Sequence, residues 1–168
     1  MIYIAHRGNI DGPKPLLENQ KDYIEKALTM GFHAEVDVWV KDGKIMLGHD
    51  EGLYAVNIDF LQNKKIICHA KNIEAVEFLH LQKDVHWFWH QNDDCTLTSC
   101  GWIWAYPHQI INQSILNQPE FNKQNNVDDY LKQFFMYKER YAFLGVCSDY
   151  VNLYIKHEKE SIFCSTYL

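Results

Sequence analysis

Two carboxylates in the first quarter of the chain have a spacing that suits metal binding. Glu35 and Asp37 lie in the segment FHAEVDVWV, where apolar residues alternate with other types. This alternation predicts a β-strand with both acids on one face, roughly 7 Å apart along the backbone. Two hard oxygen ligands at that distance can share one divalent cation.

Two histidines are predicted at the ends of neighbouring strands. His6 follows the short apolar run IYIA, and His49 follows a hairpin whose turn is indicated by Asp42-Gly43. Beside a bound cation, one imidazole can take up the proton of the nucleophile while the other protonates the leaving alkoxide of a phosphodiester. Arg7 adds a planar fork of donors for phosphate oxygens. Together these residue types predict metal-assisted phosphodiester cleavage.

The elements that position these residues are predicted to alternate between strands and helices. Helical periodicity marks DYIEKALTMG, for which Asn19 is the predicted N-cap, then IEAVEFLHLQ after Asn72, and finally VDDYLKQFFMYKERY. Further strands are predicted at KKIICHAK, VHWFWHQ, WIWAYP and FLGVCSDY, with SILNQ as a weaker candidate. This order favours a parallel sheet with right-handed crossovers. The length of 168 residues predicts one domain over residues 1–168.

The order of short motifs in the chain resembles a known family. The runs HRGN, LLEN and EVDVWVKDGKIMLGHD are similar to the N-terminal signature of the glycerophosphodiester phosphodiesterases, and they cover about the first 50 residues. Further along, CHAK resembles the E-x-K strand of that family and GVCSDY resembles its T-D-Y-P element. The related sphingomyelinase-D-like enzymes use the same two histidines, but an internal hydroxyl attacks and a cyclic phosphate forms.

The resemblance implies a fold and a set of site residues. The implied fold is an α/β structure, a TIM-type (β/α) barrel with its site at the carboxyl ends of the strands. The implied roles are metal ligation by Glu35 and Asp37, proton transfer by His6 and His49, phosphate contacts by Arg7 and Lys71, and support by Glu18 and Asp50.

The chain departs from the family pattern in three places. The family places a third acidic ligand where this chain has His69. One divalent cation is expected, Mg²⁺ or Ca²⁺ as in the family, and an imidazole ligand adds Mn²⁺ and Zn²⁺ to the possible ions. A full barrel needs ~200 or more residues, so we expect a barrel abridged to about six or seven strands. The segment GLYAVNIDFLQN is short where the family has the insertion that binds glycerol, so we do not expect the glycerol contacts of the family.

The aromatic segment WFWHQNDDCTLTSCGWIWAYP leaves two interpretations open. A zinc site would use the side chains of His90, Asp93, Asp94, Cys95 and Cys100, although their spacing matches no regular pattern. In the favoured interpretation two strands carry aromatic residues, and His90 and Tyr106 contact a sugar or base at the rim. Asp149 is either a rim residue as well or a cap for the terminal helix.

Composition excludes some classes of partner. The net charge is -6 and no basic stripe is present, which argues against nucleic-acid binding. No apolar run is long enough for a membrane span. Five scattered cysteines indicate reduced thiols in the cytoplasm, with Cys68 and Cys147 buried in strands. A strand edge exposed by missing barrel units would favour a homodimer.

The sequence therefore predicts a metal-dependent phosphodiesterase for a small, glycerophosphodiester-like substrate. Two alternatives remain open at this point. One is a phosphate-binding relic without turnover, indicated by His69 and the short chain. The other is a phosphodiesterase that acts on a glycan-linked or nucleotide-linked substrate, indicated by the aromatic rim.

Overall fold

Apolar runs of the sequence form strands that assemble into one curled sheet. The computed structural model describes residues 1–107, 109–118, 120 and 127–165. Its strands are β1 (Ile2–His6), β2 (His33–Lys41), β3 (Lys44–Leu47), β4 (Tyr54–Val56), β5 (Ile66–Ala70), β6 (His86–Phe88), β7 (Cys95–Leu97), β8 (Ile103–Ala105), β9 (Ser114–Asn117) and β10 (Gly145–Ser148). The helices are α1 (Lys21–Thr29), α2 (Ile58–Leu61), α3 (Ile73–His80), α4 (Val127–Lys138) and α5 (Val151–Ser165).

Parallel pairing links most of the strands into a continuous row. Neighbours in this row are β8, β9, β10, β1, β2, β5 and β6. The long strand β2 also pairs antiparallel with β3, which continues to β4, and β7 pairs antiparallel with β8. Because parallel strands end on the same side of a sheet, polar residues towards the carboxyl ends of the paired stretches of β1, β2 and β5 come together.

The predicted TIM-type (β/α) barrel is wrong. The sheet is mixed and curls into a half-barrel, with five helices for ten strands in the described residues. Within those residues no ladder joins β6 to β8, and the connections after β6 and β8 contain no helix. The β7 hairpin fills the first of these connections. A chain of 168 residues is too short to repeat a strand and a helix around a closed barrel.

The interior of the curl is apolar and well packed. One side chain from each of six parallel strands forms the inner cluster, and these residues are Ile4, Ile67, Phe88, Trp104, Ile115 and Cys147. Helices α1 to α3 cover the outer face of β2 and β5. The predicted burial of Cys68 and Cys147 is confirmed, since both are 0% exposed. SILNQ, the weaker strand candidate, is confirmed as β9.

One predicted helix cap is wrong. Helix α1 begins after Gln20, whose side chain makes no capping bond, and the preceding Asn19 has a left-handed φ of 63°. Helix α3 is capped by Asn72, whose side chain accepts a hydrogen bond from the Ala75 amide at 3.2 Å. No helix in the described ranges is long and apolar enough to cross a membrane.

Candidate metal centre

The candidate site is the next inward-facing layer of the half-barrel. Side chains two residues apart on a strand point to the same face, so each member of the apolar inner cluster is followed by a site residue two positions later. These following residues are His6, His69, His90, Tyr106, Asn117 and Asp149. A layer rich in polar groups therefore lies directly on the apolar core.

The structure brings the predicted metal ligands together. Glu35 is 2% exposed and Asp37 is 0% exposed, and strand register pairs Asp37 with His69 of β5. One ligand atom from each of the three residues lies within 4.8 Å of the others. Nδ1 of His69 is 3.2 Å from Oδ1 of Asp37 and 3.7 Å from Oε1 of Glu35. This is the arrangement that could hold a metal ion.

Two cationic side chains lie against Asp37. Nε of Arg7 is 2.9 Å from Oδ2, and Nζ of Lys71 is 3.3 Å from Oδ1. Burial opposes the ionisation of Asp37, but the His69 imidazole and the charges of Arg7 and Lys71 outweigh it. They hold the pKa of this carboxyl well below its usual range. Asp37 is therefore a carboxylate at neutral pH.

The donor set fits a divalent cation. Burial and the nearby charge of Asp37 raise the pKa of Glu35, because two carboxylates in a dry site repel each other. Oδ1 of Asp37 is buried and has no hydrogen bond of good geometry in the described residues. A cation shared by the two carboxylates would use that oxygen and remove the repulsion.

His6 is fixed in one orientation by Asp149. Its Nδ1 lies 2.8 Å from Oδ1 of Asp149, while its Nε2 faces Oε2 of Glu35 at 4.0 Å. Burial works against the charged imidazolium, but the hydrogen bond to Asp149 and the charge of Glu35 outweigh it and raise the pKa of His6. Nε2 is therefore the ring nitrogen that faces the ligand cluster.

Two asparagines that sequence reasoning did not assign to the site hold it in place. Nδ2 of Asn9 donates to Glu18 and to Asp149, at 2.8 Å in each case. Asn19 makes two bonds to Asp37: its Nδ2 donates to Oδ2 at 3.0 Å, and its Oδ1 accepts from the backbone amide at 2.9 Å. Both lie inside the motifs HRGN and LLEN, which was the signal that could have identified them.

Glu18 and Arg7 contact each other at the edge of the site. Nη1 of Arg7 donates to Oε2 of Glu18 at 3.2 Å. Asn9 donates to the other carboxylate oxygen of Glu18. The oriented Glu18 carboxylate in turn positions the Arg7 guanidinium. Gln118, another residue that was not predicted, places its amide 3.2 Å from both His6 and Asp149.

His49 lies at the exposed rim of the site and not at its buried base. Its side chain is 46% exposed, and its Nδ1 is 2.7 Å from Oδ1 of Asp50. The loop is held by Trp39, whose indole donates to the Gly48 carbonyl at 2.7 Å. Gly48 is required there, because its φ is 153° and a Cβ would come within 2.0 Å of the Glu51 carbonyl. His49 and His6 line the same two cavities.

Aromatic rings form the opposite wall. Trp104, Phe88 and His69 stack in sequence, with ring centroids 4.5 and 4.8 Å apart, and His90 continues the stack at 5.1 Å. The hydroxyl of Tyr106 is hydrogen-bonded to Nε2 of His90. Burial and the nearby His69 lower the pKa of His90 to about 4. In the described residues the cysteines join no metal-ligand cluster, so the zinc interpretation gains no support.

Comparison with known proteins identifies no relative of this chain. No protein-family model, no curated protein and no solved structure matches the chain. What the structure defines is a half-barrel of mixed strands with a buried cluster of two carboxylates and one imidazole at the carboxyl ends of its central strands.

Proposed function

We propose that this protein is a metal-dependent phosphodiesterase that cleaves a small phosphodiester. The observation that carries the proposal is the buried Glu35, Asp37 and His69 cluster, which opens into the same cavity as Arg7 and Lys71. Buried carboxylates suit a cation, and basic side chains beside them suit an anionic substrate.

Glu35, Asp37 and His69 would hold the cation. Mg²⁺ and Ca²⁺ suit the two carboxylates, and the imidazole extends the choice to Mn²⁺ and Zn²⁺. When bound, the cation would polarise the phosphoryl oxygens and offset the negative charge that develops as the phosphodiester is cleaved. Asn19 keeps Asp37 oriented for this role through its two hydrogen bonds.

Arg7 and Lys71 bind the phosphate. The positive charges of Arg7 and Lys71 balance the negative charges of Glu35 and Asp37. The charge of a bound cation would therefore be in excess and would attract a phosphodiester anion. Arg7 directs Nε to Asp37 and Nη1 to Glu18, and its other N–H donors remain for phosphate oxygens. The fixed guanidinium also orients the phosphate without further loss of side-chain entropy.

His6 and His49 move the protons. Asp149 occupies Nδ1 of His6, so Nε2 gives a proton to the oxygen of the leaving alcohol. His49 lies at the exposed lip, where it takes a proton from the attacking water. A bond forms between that water oxygen and phosphorus, the bond from phosphorus to the leaving oxygen breaks, and the products are a neutral alcohol and a phosphomonoester.

Hydrolysis of bis(p-nitrophenyl) phosphate tests the proposal. Metal-stripped protein is refilled in turn with Mg²⁺, Ca²⁺, Mn²⁺ and Zn²⁺, and release of p-nitrophenolate is followed. We expect metal-dependent turnover that falls at least 100-fold in Glu35→Gln and His6→Asn, in line with the usual contributions of ligands and proton donors.

Matched controls come from exposed residues of helix α3. Glu77→Gln and His80→Asn make the same chemical changes at exposed positions away from the cavities, and both should keep wild-type turnover. Equal activity in Glu35→Gln and wild type, or turnover that survives metal removal, would contradict the proposal.

The close packing around Asp37 favours a second candidate. Arg7, His69 and Lys71 all approach its carboxylate within 3.3 Å, so the cluster is charge-balanced by the chain itself. A phosphate-binding protein without turnover is consistent with that arrangement. Binding of dimethyl phosphate that is unaffected by metal removal, with no hydrolysis under any ion, would favour this candidate over the enzyme.

A further inference from the structure

Two cavities meet at the candidate active site. One has a volume of about 290 Å³ and the other about 590 Å³. They share four lining residues, which are His6, Arg7, His49 and Gln118. A phosphodiester carries one alcohol on each side of its phosphorus. A phosphate at the shared residues would leave one cavity for each alcohol group.

The smaller cavity ends at two polar atoms that have no hydrogen-bond partner among the described residues. The side chain of His90 is 7% exposed, and its Nδ1 makes no hydrogen bond within the described part of the chain. The same holds for the buried Oδ1 of Asn117. Asp93 lies 3.9 Å from Nδ1 of His90, beyond hydrogen-bond distance. Buried polar atoms are rarely left unpaired, so these two atoms indicate a polar ligand.

The chemistry of this end is neutral. Nε2 of His90 is bonded to the Tyr106 hydroxyl, and Asn117 offers an amide. The cationic side chains, Arg7 and Lys71, lie instead against the acidic cluster. An amide, an imidazole and a phenol are suited to hydroxyl groups, which both donate and accept hydrogen bonds. Phe88 and Trp89 also line this cavity.

We propose that the smaller cavity binds a hydroxylated ring, the sugar of a sugar-linked or nucleoside-linked phosphodiester. The cavity volume of about 290 Å³ equals that of roughly ten water molecules at about 30 Å³ each, which accommodates one sugar ring. Hydroxyl groups pair with His90 and Asn117, and the ring C–H groups pack on the aromatic wall. The inference rests on the proposed function, since it assigns the alcohol of that same reaction.

Three aryl phosphodiesters with one leaving group test it. They are the p-nitrophenyl phosphodiesters of glucose at its primary hydroxyl, of uridine at its 5′ hydroxyl, and of cyclohexylmethanol, which has a six-membered ring without hydroxyls. For the wild type we expect kcat/KM at least tenfold higher for a sugar ester than for the cyclohexylmethyl ester. The glucose and uridine esters show whether the sugar is free or belongs to a nucleoside. Equal rates for all three esters would overturn the inference.

Variants of the two residues that carry the unpaired atoms identify the source of the preference for sugar esters. Asn117→Leu and His90→Phe keep the shape of each side chain and remove its polar atoms. Both should reduce the tenfold preference to within about twofold, while Gln82→Leu, a comparable loss of an amide just beyond the C-terminal end of α3, should retain it. A preference that persists in both variants would place sugar recognition elsewhere.

A binding measurement separates this inference from the proposed function. Glucose 6-phosphate and cyclohexylmethyl phosphate are titrated calorimetrically into Mn²⁺-loaded wild type and Asn117→Leu. If no ester is hydrolysed but glucose 6-phosphate binds at least tenfold tighter, and only when Asn117 is present, the sugar subsite stands and the enzyme proposal fails. Equal affinity for the two phosphates would overturn the sugar subsite even in an active enzyme.

Discussion

Asn19 should control both the stability of the fold and the affinity for metal. It is 1% exposed, and it contacts Asp37 twice, through the carboxylate at 3.0 Å and through the backbone amide at 2.9 Å. Asn19→Gly removes both bonds and keeps the left-handed φ of 63° accessible. A hydrogen bond to a charged group contributes about 2 kcal/mol and a neutral one about 1 kcal/mol. The free energy of unfolding should therefore fall by about 3 kcal/mol.

Metal affinity should fall as well, because the two bonds orient a ligand. Loss of a residue that holds a metal ligand in place typically costs roughly 10 to 100-fold in affinity. Asn19→Ala is the matched variant. It loses the same bonds but adds a Cβ at a positive φ, which costs a further ~1 kcal/mol of stability. We expect the two variants to differ in stability and to agree in metal affinity.

The assays are urea unfolding of the metal-stripped protein and calorimetric titration with Mn²⁺. If Asn19→Gly binds Mn²⁺ within twofold of wild type, Asn19 does not orient the ligand and the argument from its contacts with Asp37 is refuted. If Asn19→Ala binds Mn²⁺ more weakly than Asn19→Gly, backbone geometry and not the side-chain amide positions the cluster.

Three further predictions follow from the same geometry. Asp149→Ala should lower kcat for bis(p-nitrophenyl) phosphate roughly 100-fold with little change in KM, since it frees the His6 ring; a loss confined to KM in steady-state kinetics would contradict this. Burial lowers the pKa of His86 to about 4, so its ring is neutral in the folded state, and about 2 kcal/mol of stability should be lost as the pH falls from 6.5 towards 4. Urea unfolding of His86→Phe should show a flatter pH profile. Mn²⁺ at 100 times its Kd should stabilise the wild type by about 2.7 kcal/mol in thermal unfolding, and Glu35→Gln should show no such gain.

The pairing of Glu35 with Asp37 could be predicted because strand geometry is local, whereas His69 was predicted as a ligand from the resemblance to the family motif. Side chains two residues apart on one strand point to the same face, and neighbouring parallel strands end on the same side of the sheet. The same periodicity placed His90 and Tyr106 two residues after the inner aromatic residues Phe88 and Trp104. The predicted positions of the strands were enough to place His90 and Tyr106 at strand ends.

The role of Asn19 could not be predicted in the same way. An asparagine before a helix is the usual signal for an N-cap, and the same residue type is favoured at a left-handed backbone position. Sequence alone does not separate the two, and the structure selects the second. Asn117 was missed for a different reason, because β9 is short and its sequence SILN shows only a weak strand pattern.

The barrel prediction failed in the half of the chain that does not hold the metal ligands. A helix lies in each connection between the parallel strands β1, β2, β5 and β6, although β3 and β4 also interrupt the connection from β2 to β5, whereas the β7 hairpin replaces a helix between β6 and β8. His6, Glu35 and His69 lie on three adjacent strands whose register is fixed by direct pairing, so loss of helices elsewhere leaves the acidic cluster intact. The half that contains the β7 hairpin instead supplies His90, Tyr106 and Asn117. Under the proposed function, selection of the alcohol therefore depends on a different part of the sheet from the chemistry at phosphorus.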